Sequence, residues 1–293
     1  MKLVTYAHDG AEQAGVVVGE RVFSLESLGL PSNIVDFLAL EDAGMEQLSK
    51  ALQSVRGGVP VSDVKLLPVI PRPPAIFLLA GNYQSHIVEG GGSAVNKDEI
   101  TPRLFIKPVT SVIGDGDPIL IPSVSDTVDY ELEIAAVIGK RCKHVPKERA
   151  HEVIAGYFVG NDVSVRDWQL RTNTWQIGKS FDTHGPIGPW IVTPDEVGDP
   201  HALAIRCWVN GELRQNSNTK HLIFNCFDQI AHLSQAFTLD PGDVIFTGTS
   251  GGVGAAMKPM QFLKAGDVVR VEVEKLGYIE NRVVPEKAET IIG

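Results

Sequence analysis

The sequence has few cysteines, too little positive charge for a polyanion binder and no long apolar run. The three cysteines among 293 residues are widely spaced, which fits neither a disulfide framework nor a zinc site, so we expect reduced thiols. The formal net charge of −10 argues against a nucleic-acid partner, because phosphate contacts need clustered Lys and Arg. No apolar stretch approaches the ~20 residues of a membrane helix, and the first residues lack the apolar core of a signal peptide. These absences predict a soluble, cytoplasmic protein with no membrane partner.

The first part of the chain has a pattern of its own. Its first 25 residues predict three short strands, and residues 34–52 have helical spacing that is interrupted near Ala43-Gly44. The segment Pro68–Pro74 holds four prolines in seven residues, which is typical of a stiff connector. We therefore predict a small N-terminal α/β domain over residues 1–70 and a catalytic domain over residues 71–293.

The longer second part is rich in short β-type runs separated by Gly and Pro, such as AIFLLAG, YELEIAAVIG and DVVRVEVEKLG. Helical patterns are few and are confined to three segments: Lys147–Gly156, Val163–Arg171 and Leu222–Thr238. Many strands with few helices predict an α+β, mainly β fold with a rolled or sandwiched mixed sheet. The glycine-rich segment Val88–Pro102 is a candidate mobile loop.

Carboxylates cluster in the run TVDYELEIAAVIG. On a strand, Glu131 and Glu133 point to the same side, and two adjacent carboxylates repel each other unless a cation lies between them. Mg²⁺ or Mn²⁺ would suit such a pair, and Asp162, at the end of the later apolar run YFVG, is a third candidate ligand. Asp129 shares the face and could replace either glutamate. The alternatives are an edge strand with a solvated glutamate face and, for Asp162, a helix N-cap.

Two further segments carry groups for acid–base and anion chemistry. His86 and Glu89 are three residues apart in one short turn, and a carboxylate beside an imidazole makes it a better base, although such pairs are often surface ion pairs. Lys179 lies in a Gly- and Pro-rich segment and could stabilise an anionic transition state. Lys107 could serve the same anion or be solvated. Nearby His184 has no evident partner and is interpreted as structural.

Residues after the carboxylates are candidates for substrate contacts. Arg166 and Gln169 share a helix face and could bind one substrate carboxylate. The stretch Gly248–Gly252 matches the G-x-S-x-G nucleophile elbow, but no histidine follows His232, so a serine hydrolase is excluded on chain order. It also misses the dinucleotide pattern G-x-G-x-x-G. What remains is a glycine loop whose Thr249 hydroxyl and backbone N–H groups can meet a ligand carboxylate.

In this order, the motifs resemble the fumarylacetoacetate hydrolase family, over roughly residues 76–284. The resemblance assigns metal, catalytic and substrate-binding roles to matching positions: Glu131, Glu133 and Asp162; His86, Glu89 and Lys179; Arg166, Gln169 and Thr249. It implies Mg²⁺ or Mn²⁺ as cofactor, a mixed β-sandwich roll, a small N-terminal domain and a homodimer. The fourth acidic ligand of the longest, animal-type members cannot be aligned, which points to the shorter, bacterial-type branch.

The resemblance implies chemistry on a small anionic 2-oxo acid. We predict a C–C bond hydrolase that cleaves an acylpyruvate or a 2,4-diketo acid to pyruvate and a carboxylic acid. In this hypothesis His86 activates water, Lys179 stabilises the oxyanion and the metal stabilises the pyruvate enolate that leaves. The alternative enzymes are an oxaloacetate decarboxylase or a 2-hydroxymuconate-type isomerase with the same metal–enolate chemistry. A non-catalytic binding protein would be expected to lack a metal carboxylate or the base, and neither is missing.

Overall fold

The computed structural model describes residues 1–292, and strands dominate it. Within these residues there are nineteen strands: β1 (Lys2–His8), β2 (Ala11–Val18), β3 (Arg21–Ser24), β4 (Val59–Pro60), β5 (Lys65–Leu66), β6 (Ile76–Ala80), β7 (Arg103–Ile106), β8 (Val112–Ile113), β9 (Ile119–Ile121), β10 (Val128–Asp129), β11 (Leu132–Ile138), β12 (Ile154–Asn161), β13 (Ser164–Val165), β14 (Gly185–Val192), β15 (Ala204–Val209), β16 (Glu212–Asn218), β17 (Val244–Phe246), β18 (Val268–Val273) and β19 (Gly277–Pro285).

Helices are few and short. The α-helices of the described chain are α1 (Ile34–Leu38), α2 (Glu41–Leu52), α3 (Gln84–Glu89), α4 (Arg166–Gln169), α5 (Pro194–Val197) and α6 (Cys226–Ala236). The helix α6 begins with a capping box, in which Asn225 and Asp228 each accept the other's backbone N–H. The prediction of an α+β, mainly β fold is confirmed.

Two large sheets form the β-sandwich. The central sheet has the order β4-β3-β2-β1-β14-β12-β11-β17-β6-β7, and β5 and β8 pair with β1 and β14. The second sheet has the order β16-β15-β18-β19-β9, and a two-strand ladder joins β10 to β13. Side chains from both large sheets form one hydrophobic cluster between them, for example Ile134 and Val159 from the central sheet and Val271 from the second. This packing confirms the predicted sandwich.

Burial along individual strands follows their position. Strand β18 alternates buried and half-buried residues because one of its faces packs on the core. Strand β11 is buried at every residue because it lies in the interior of the central sheet, between β12 and β17. A run without alternation, LEIAAVI, is what a strand covered on both faces requires.

The N-terminal strands belong to the central sheet. Strand β1 pairs with β14, with Lys2 opposite Val192, and Leu3 lies in the same hydrophobic cluster as Ile76 and Phe158. The sheet therefore continues across the domain boundary that we predict at residue 70, and that boundary stays a prediction.

Three helix predictions differ from the structure. The break in residues 34–52 falls between α1 and α2, not at Gly44, whose added Cβ would lie 2.8 Å from the Leu40 Cβ. Glycine is thus needed there for close packing inside a continuous helix. The segment from Lys147 is a 3-10 helix that ends at Val153, because the apolar residues that follow pair with β11. The pattern from Leu222 becomes a helix only from Cys226 onward.

The candidate mobile loop, Val88–Pro102, is anchored at its middle. The Gln84 side chain donates to the Val95 carbonyl at 2.6 Å and accepts from its N–H at 3.0 Å. Lys97 forms a 2.6 Å ion pair with Asp228 of α6. Whether the loop moves on ligand binding stays a prediction, and these contacts are the ones that such a movement would break.

The structure shows the state of the cysteines and whether any helix could span a membrane. All three cysteines are unpaired and buried, as the prediction of reduced thiols requires. Across residues 1–292, no helix combines the length and the apolar character needed to cross a membrane.

Candidate active site and metal centre

Glu131, Glu133 and Asp162 come together where β11 and β12 pair. One carboxylate oxygen of each lies within 4.8 Å of the other two, and all three residues are buried. Glu131 directly precedes β11 and Asp162 directly follows β12, and the Asp162 N–H donates to the Glu131 carbonyl at 2.9 Å. The alternative of a solvated edge strand is wrong, because β11 has a neighbour on each side.

The electrostatics of this cluster suit a divalent ion. Burial raises the pKa of Glu133 well above its usual range, and repulsion from Asp162 and Glu131 adds to the shift. Burial acts on Glu131 in the same direction, but Lys179 and Arg166 outweigh it and hold its pKa below its usual range. The three converging carboxylates supply the hard oxygen donors that Mg²⁺ and Mn²⁺ prefer, and a cation would relieve the repulsion that acts on Glu133. The residues present therefore fit the predicted metal.

Asp129 lies outside the three-carboxylate cluster and holds Arg166. Its Oδ2 accepts from Arg166 Nε at 2.9 Å and from the Ala255 N–H at 2.9 Å, and its Oδ1 accepts from the Gly254 N–H at 2.8 Å. With its oxygens engaged in this way, Asp129 does not replace either glutamate in the cluster. It connects the arginine to the glycine-rich loop.

The two lysines have different positions relative to the carboxylates. Lys179 Nζ donates to Glu131 at 2.8 Å and to Asp162 at 2.7 Å. Lys107 is fully buried, and its Nζ contacts Asp162 at 2.7 Å, the Val163 carbonyl at 3.1 Å and the Lys179 carbonyl. Lys107 thus donates hydrogen bonds to two carbonyls and forms an ion pair with Asp162. In the structure Lys107 is buried against Asp162 and does not line the cavity described below, and its contact with a substrate stays a prediction.

His86 and Glu89 form a hydrogen-bonded pair on α3. His86 Nδ1 lies 2.9 Å from Glu89 Oε1, and both side chains are about one-fifth exposed. Glu89 Oε2 accepts from the Gly252 N–H at 2.6 Å. The carboxylate is thus fixed from two sides, and it can hold the imidazole with Nε2 free to exchange a proton.

The predicted Arg166–Gln169 face exists on the short helix α4. Arg166 Nη1 donates to Gln169 Oε1 at 3.0 Å and to Glu131 Oε1 at 2.6 Å. Arg166 therefore contacts the carboxylate cluster directly, and Gln169 is held beside it through Arg166. Their contact with a substrate stays a prediction.

Thr249 lies at the site, but its hydroxyl is already engaged. The hydroxyl donates to the Leu132 carbonyl at 2.8 Å and accepts from Gln215 Nε2 at 2.7 Å. A hydroxyl has one proton, so that proton is not available to a substrate carboxylate. The predicted substrate contact of Thr249 is therefore restricted to its backbone N–H and its remaining lone pair.

These groups surround one small cavity of about 30 Å³. It is lined by ten residues: Leu79, Ala80, Gly81, His86, Phe105, Glu131, Gln169, Trp175, Lys179 and Thr249. Glu131 of the carboxylate cluster, His86 of the His–Glu pair and Lys179 thus line the same space. A base, a cation and a metal position around one cavity can move protons at a bound 2-oxo acid.

The sequence did not predict the role of the glycine-rich loop, residues 248–255, in binding carboxylates of the site. Its backbone N–H groups donate to three carboxylates: Gly248 to Glu133 at 2.5 Å, Gly252 to Glu89, and Gly254 and Ala255 to Asp129. The signal in the sequence was the density of glycine, which permits close backbone approach. Nothing in the sequence indicated which side chains the loop would meet.

We expect Gly251→Ala to lower turnover without lowering metal affinity. An added Cβ would lie 3.1 Å from Glu89 Oε2 and 3.2 Å from the Ser85 Cβ, so it would displace the carboxylate that holds His86. A misplacement of this kind costs roughly tenfold to a hundredfold in rate. Steady-state kinetics and metal titration of the purified variant measure the two effects.

Gly90→Ala is the matched control for that variant. Its Cβ would meet only the His86 and Ile87 carbonyls, at ordinary contact distances of 3.5 and 3.6 Å. This variant should keep its turnover. Equal activity of both glycine variants would show that the loop does not position Glu89.

His184 is a buried structural histidine, as the sequence suggested. Its Nε2 lies 2.8 Å from the Leu120 carbonyl, and burial lowers its pKa to about 4. In the unfolded chain this histidine binds a proton below about pH 6.5, whereas in the native protein it binds one only below about pH 4. The free energy of unfolding should therefore fall as pH drops through this window, by roughly 3 kcal/mol from this residue.

Chemical denaturation between pH 7 and pH 4 tests this prediction. The stability advantage of the wild type over His184→Gln should shrink as the pH falls, because glutamine does not take up a proton. His221→Gln, at an exposed histidine, controls for loss of a histidine as such. A constant difference across the pH range would mean that the pKa of His184 is the same in the native protein and in the unfolded chain.

Sequence comparison relates the chain to a known family. The family described as "Fumarylacetoacetate (FAA) hydrolase C-terminal" matches residues 75–284. The chain is 45% identical over 257 residues to oxaloacetate tautomerase fahd2, mitochondrial, of Xenopus laevis, which covers 87% of this chain and 79% of the relative. It is 43% identical to the human oxaloacetate tautomerase FAHD2A, mitochondrial, over 87% of this chain and 81% of the relative.

Solved structures give the same relationship. Maleylpyruvate hydrolase from Sphingobium sp. SYK-6, in complex with manganese(II) and pyruvate, superposes with a TM-score of 0.81 at 28% identity, over 98% of this chain and all of that one. A 5-carboxymethyl-2-hydroxymuconate delta-isomerase from Mycobacterium smegmatis superposes with a TM-score of 0.78 at 32% identity, over the same shares. With its carboxylate cluster and His–Glu pair, the chain belongs to the fumarylacetoacetate hydrolase family of enzymes.

Proposed function

We propose that this protein is a divalent-metal-dependent enzyme that moves a proton at a small 2-oxo acid, interconverting its keto and enol forms. The observation that carries this proposal is the shared cavity, which is lined by His86, by Lys179 and by Glu131 of the carboxylate cluster. Proton transfer next to a carbonyl needs a base at the carbon and positive charge at the oxygen.

The relatives support tautomerisation over hydrolysis. Two of the relatives, at 45% and 43% identity, carry the name oxaloacetate tautomerase, whereas the maleylpyruvate hydrolase is 28% identical. Oxaloacetate is a short 2-oxo acid, and we propose it or a close analogue as the substrate.

The His86–Glu89 pair supplies the base. Glu89 holds Nδ1, so Nε2 can take a proton from the carbon next to the 2-oxo group. The electron pair of the broken C–H bond becomes the C2–C3 double bond, and the 2-oxo oxygen takes up a proton in exchange. Return of the proton to carbon gives back the keto form, so the step is a net isomerisation.

Lys179 supplies positive charge on the oxygen side. Two of its three N–H bonds go to Glu131 and Asp162, and the third is left for the substrate oxygen. A divalent ion held by Glu131, Glu133 and Asp162 would add Lewis-acid stabilisation of the enolate. Arg166 and Gln169 lie next to the cluster and are proposed to orient the acid end of the substrate.

Hydrolysis of an acylpyruvate is the second candidate. The observation in its favour is the same pair, since His86 could take a proton from water instead of from carbon. The manganese- and pyruvate-bound hydrolase with the same fold supports this option. In either case the substrate is anionic and small, and we retain the expectation that the enzyme is a homodimer.

One assay distinguishes the candidates. The enol form of oxaloacetate is mixed with enzyme and Mn²⁺, and loss of its ultraviolet absorbance is followed beside pyruvate release from acetylpyruvate and from oxaloacetate. Fast enol loss without pyruvate supports the tautomerase. Pyruvate from acetylpyruvate identifies the hydrolase, and pyruvate from oxaloacetate alone identifies the decarboxylase. Absence of all three activities would refute the proposed chemistry.

A further inference from the structure

Arg103 lies on the strand face that forms one wall of the cavity. It begins β7, which pairs antiparallel with β6 so that Arg103 is opposite Ala80. Side chains two apart on a strand share a face, and Phe105, two residues on, lines the cavity together with Ala80. The exposed Arg103 therefore lies on the cavity side of the sheet, towards solvent from Phe105.

Trp175 holds the arginine at this position. The Trp175 ring lines the cavity, and the Arg103 guanidinium lies 5.1 Å from the centre of the ring. The backbone of Trp175 has a φ of 58°, in the left-handed region that bulky residues rarely adopt. The turn that carries this ring is thus set in an unusual conformation that brings the indole against both the cavity and the arginine.

The positive charge of Arg103 is not used within the protein. Among residues 1–292, no carboxylate lies within 4.0 Å of its guanidinium, whereas Arg166 is bound by Asp129 and Glu131. Two other arginines lie over tryptophan rings and both have acidic partners: Arg171, over Trp168, is paired with Asp167 at 3.2 Å, and Arg270, over Trp208, is paired with Glu272 at 2.8 Å. In a protein of net charge −10, an arginine without an acidic partner beside a cavity is available for an external anion.

We propose that Arg103 and Trp175 form a distal subsite that binds a second carboxylate, so that the substrate is a 2-oxo dicarboxylic acid. This inference rests on the proposed function, because the 2-oxo acid end must bind at the carboxylate cluster. Arginine presents a planar fork of N–H donors that matches a carboxylate, and the indole limits the positions the fork can take. Arg103 and Trp175 would be specificity-determining residues, because they contact the part of the substrate that does not react.

A matched ligand pair tests the subsite by equilibrium binding. 2-Oxoglutarate and 2-oxopentanoate have the same chain length and differ in the distal carboxylate, and their affinities are measured by calorimetry with Mn²⁺ present. The wild type should prefer 2-oxoglutarate. Arg103→Gln should weaken 2-oxoglutarate binding by about tenfold, the loss expected for a hydrogen bond between charged groups, and leave 2-oxopentanoate unchanged.

Two further variants define the site. Trp175→Leu should reduce the preference for 2-oxoglutarate, and Trp175→Phe should retain most of it because the aromatic face remains. Arg171→Gln removes an arginine that stacks on Trp168 but does not line the cavity, and it should leave both affinities unchanged. No preference in the wild type, or equal losses for both ligands in Arg103→Gln, would overturn the subsite.

The failure of this inference is distinguishable from failure of the proposed function. If the ligand preference depends on Arg103 but no enol, acylpyruvate or oxaloacetate activity is found, the reaction is wrong and the subsite stands. If enol loss is catalysed but Arg103→Gln does not change the preference between the two ligands, the reaction stands and the subsite is wrong.

Discussion

His86→Ala should lose about 10²–10⁴-fold in turnover while metal affinity stays at the wild-type value. The size of the loss is the usual contribution of a general base. Metal affinity should persist because the three grouped metal ligands are carboxylates and His86 is not one of them. Steady-state kinetics with the enol substrate and titration with Mn²⁺ measure the two quantities on the same preparation.

Further variants show whether the pair acts as a unit. Glu89→Gln keeps the shape of the side chain but removes the charge that faces Nδ1, so it should give a smaller loss than His86→Ala. His221→Ala, at an exposed histidine, should retain full activity. If His86→Ala keeps its turnover, the His86–Glu89 contact is a structural ion pair and another group is the base.

Isotope labelling separates the two reactions in which His86 can take part. Turnover of an acylpyruvate in water enriched in the heavy oxygen isotope should label the released carboxylic acid if water is the nucleophile. Turnover of enol oxaloacetate in deuterated water should instead place deuterium on carbon. Unlabelled carboxylic acid from a cleaved acylpyruvate would exclude activation of water.

Glu133→Gln should lose metal affinity by more than about 100-fold and lose activity with it. A loss of 10- to 100-fold is typical for a residue that only supports a ligand, so a ligand itself should exceed it. The metal-free variant should be at least as stable as the metal-free wild type, because burial and the carboxylates of Asp162 and Glu131 disfavour the Glu133 charge. A substitution that weakens metal binding but does not lower the stability of the metal-free protein identifies the residue as a metal ligand.

Calorimetric titration with metal measures the change in metal affinity, and chemical denaturation in the presence of chelator measures the change in metal-free stability. Glu152→Gln, on the surface and paired with Arg149, is the control and should change neither quantity appreciably. Full activity of the wild type in excess chelator would contradict metal dependence. A large loss of metal-free stability in Glu133→Gln would show that Glu133 is a structural residue.

The spacing of residues along the chain predicted the local pairs of the site. Glu131 and Glu133 are two apart beside or on a strand, and His86 and Glu89 are three apart on a helix, so backbone geometry alone sets each pair. The run LEIAAVI was correctly predicted as a strand, but its complete burial depends on strands that come from distant parts of the chain.

The sequence by itself determined the composition of the site: three carboxylates for a metal, a His–Glu pair, a lysine and an Arg–Gln helix face, in an order typical of one enzyme family. Only the tertiary structure decided which of these side chains are free to contact a substrate. Lys107 and Thr249 had the right chemistry, but Lys107 is ion-paired with Asp162 and donates to two carbonyls, and the Thr249 proton goes to the Leu132 carbonyl. Glycine-loop contacts to Glu89 and the approach of Arg103 to Trp175 join residues far apart in sequence. Local backbone geometry cannot specify such contacts, because they depend on how the strands pair and pack.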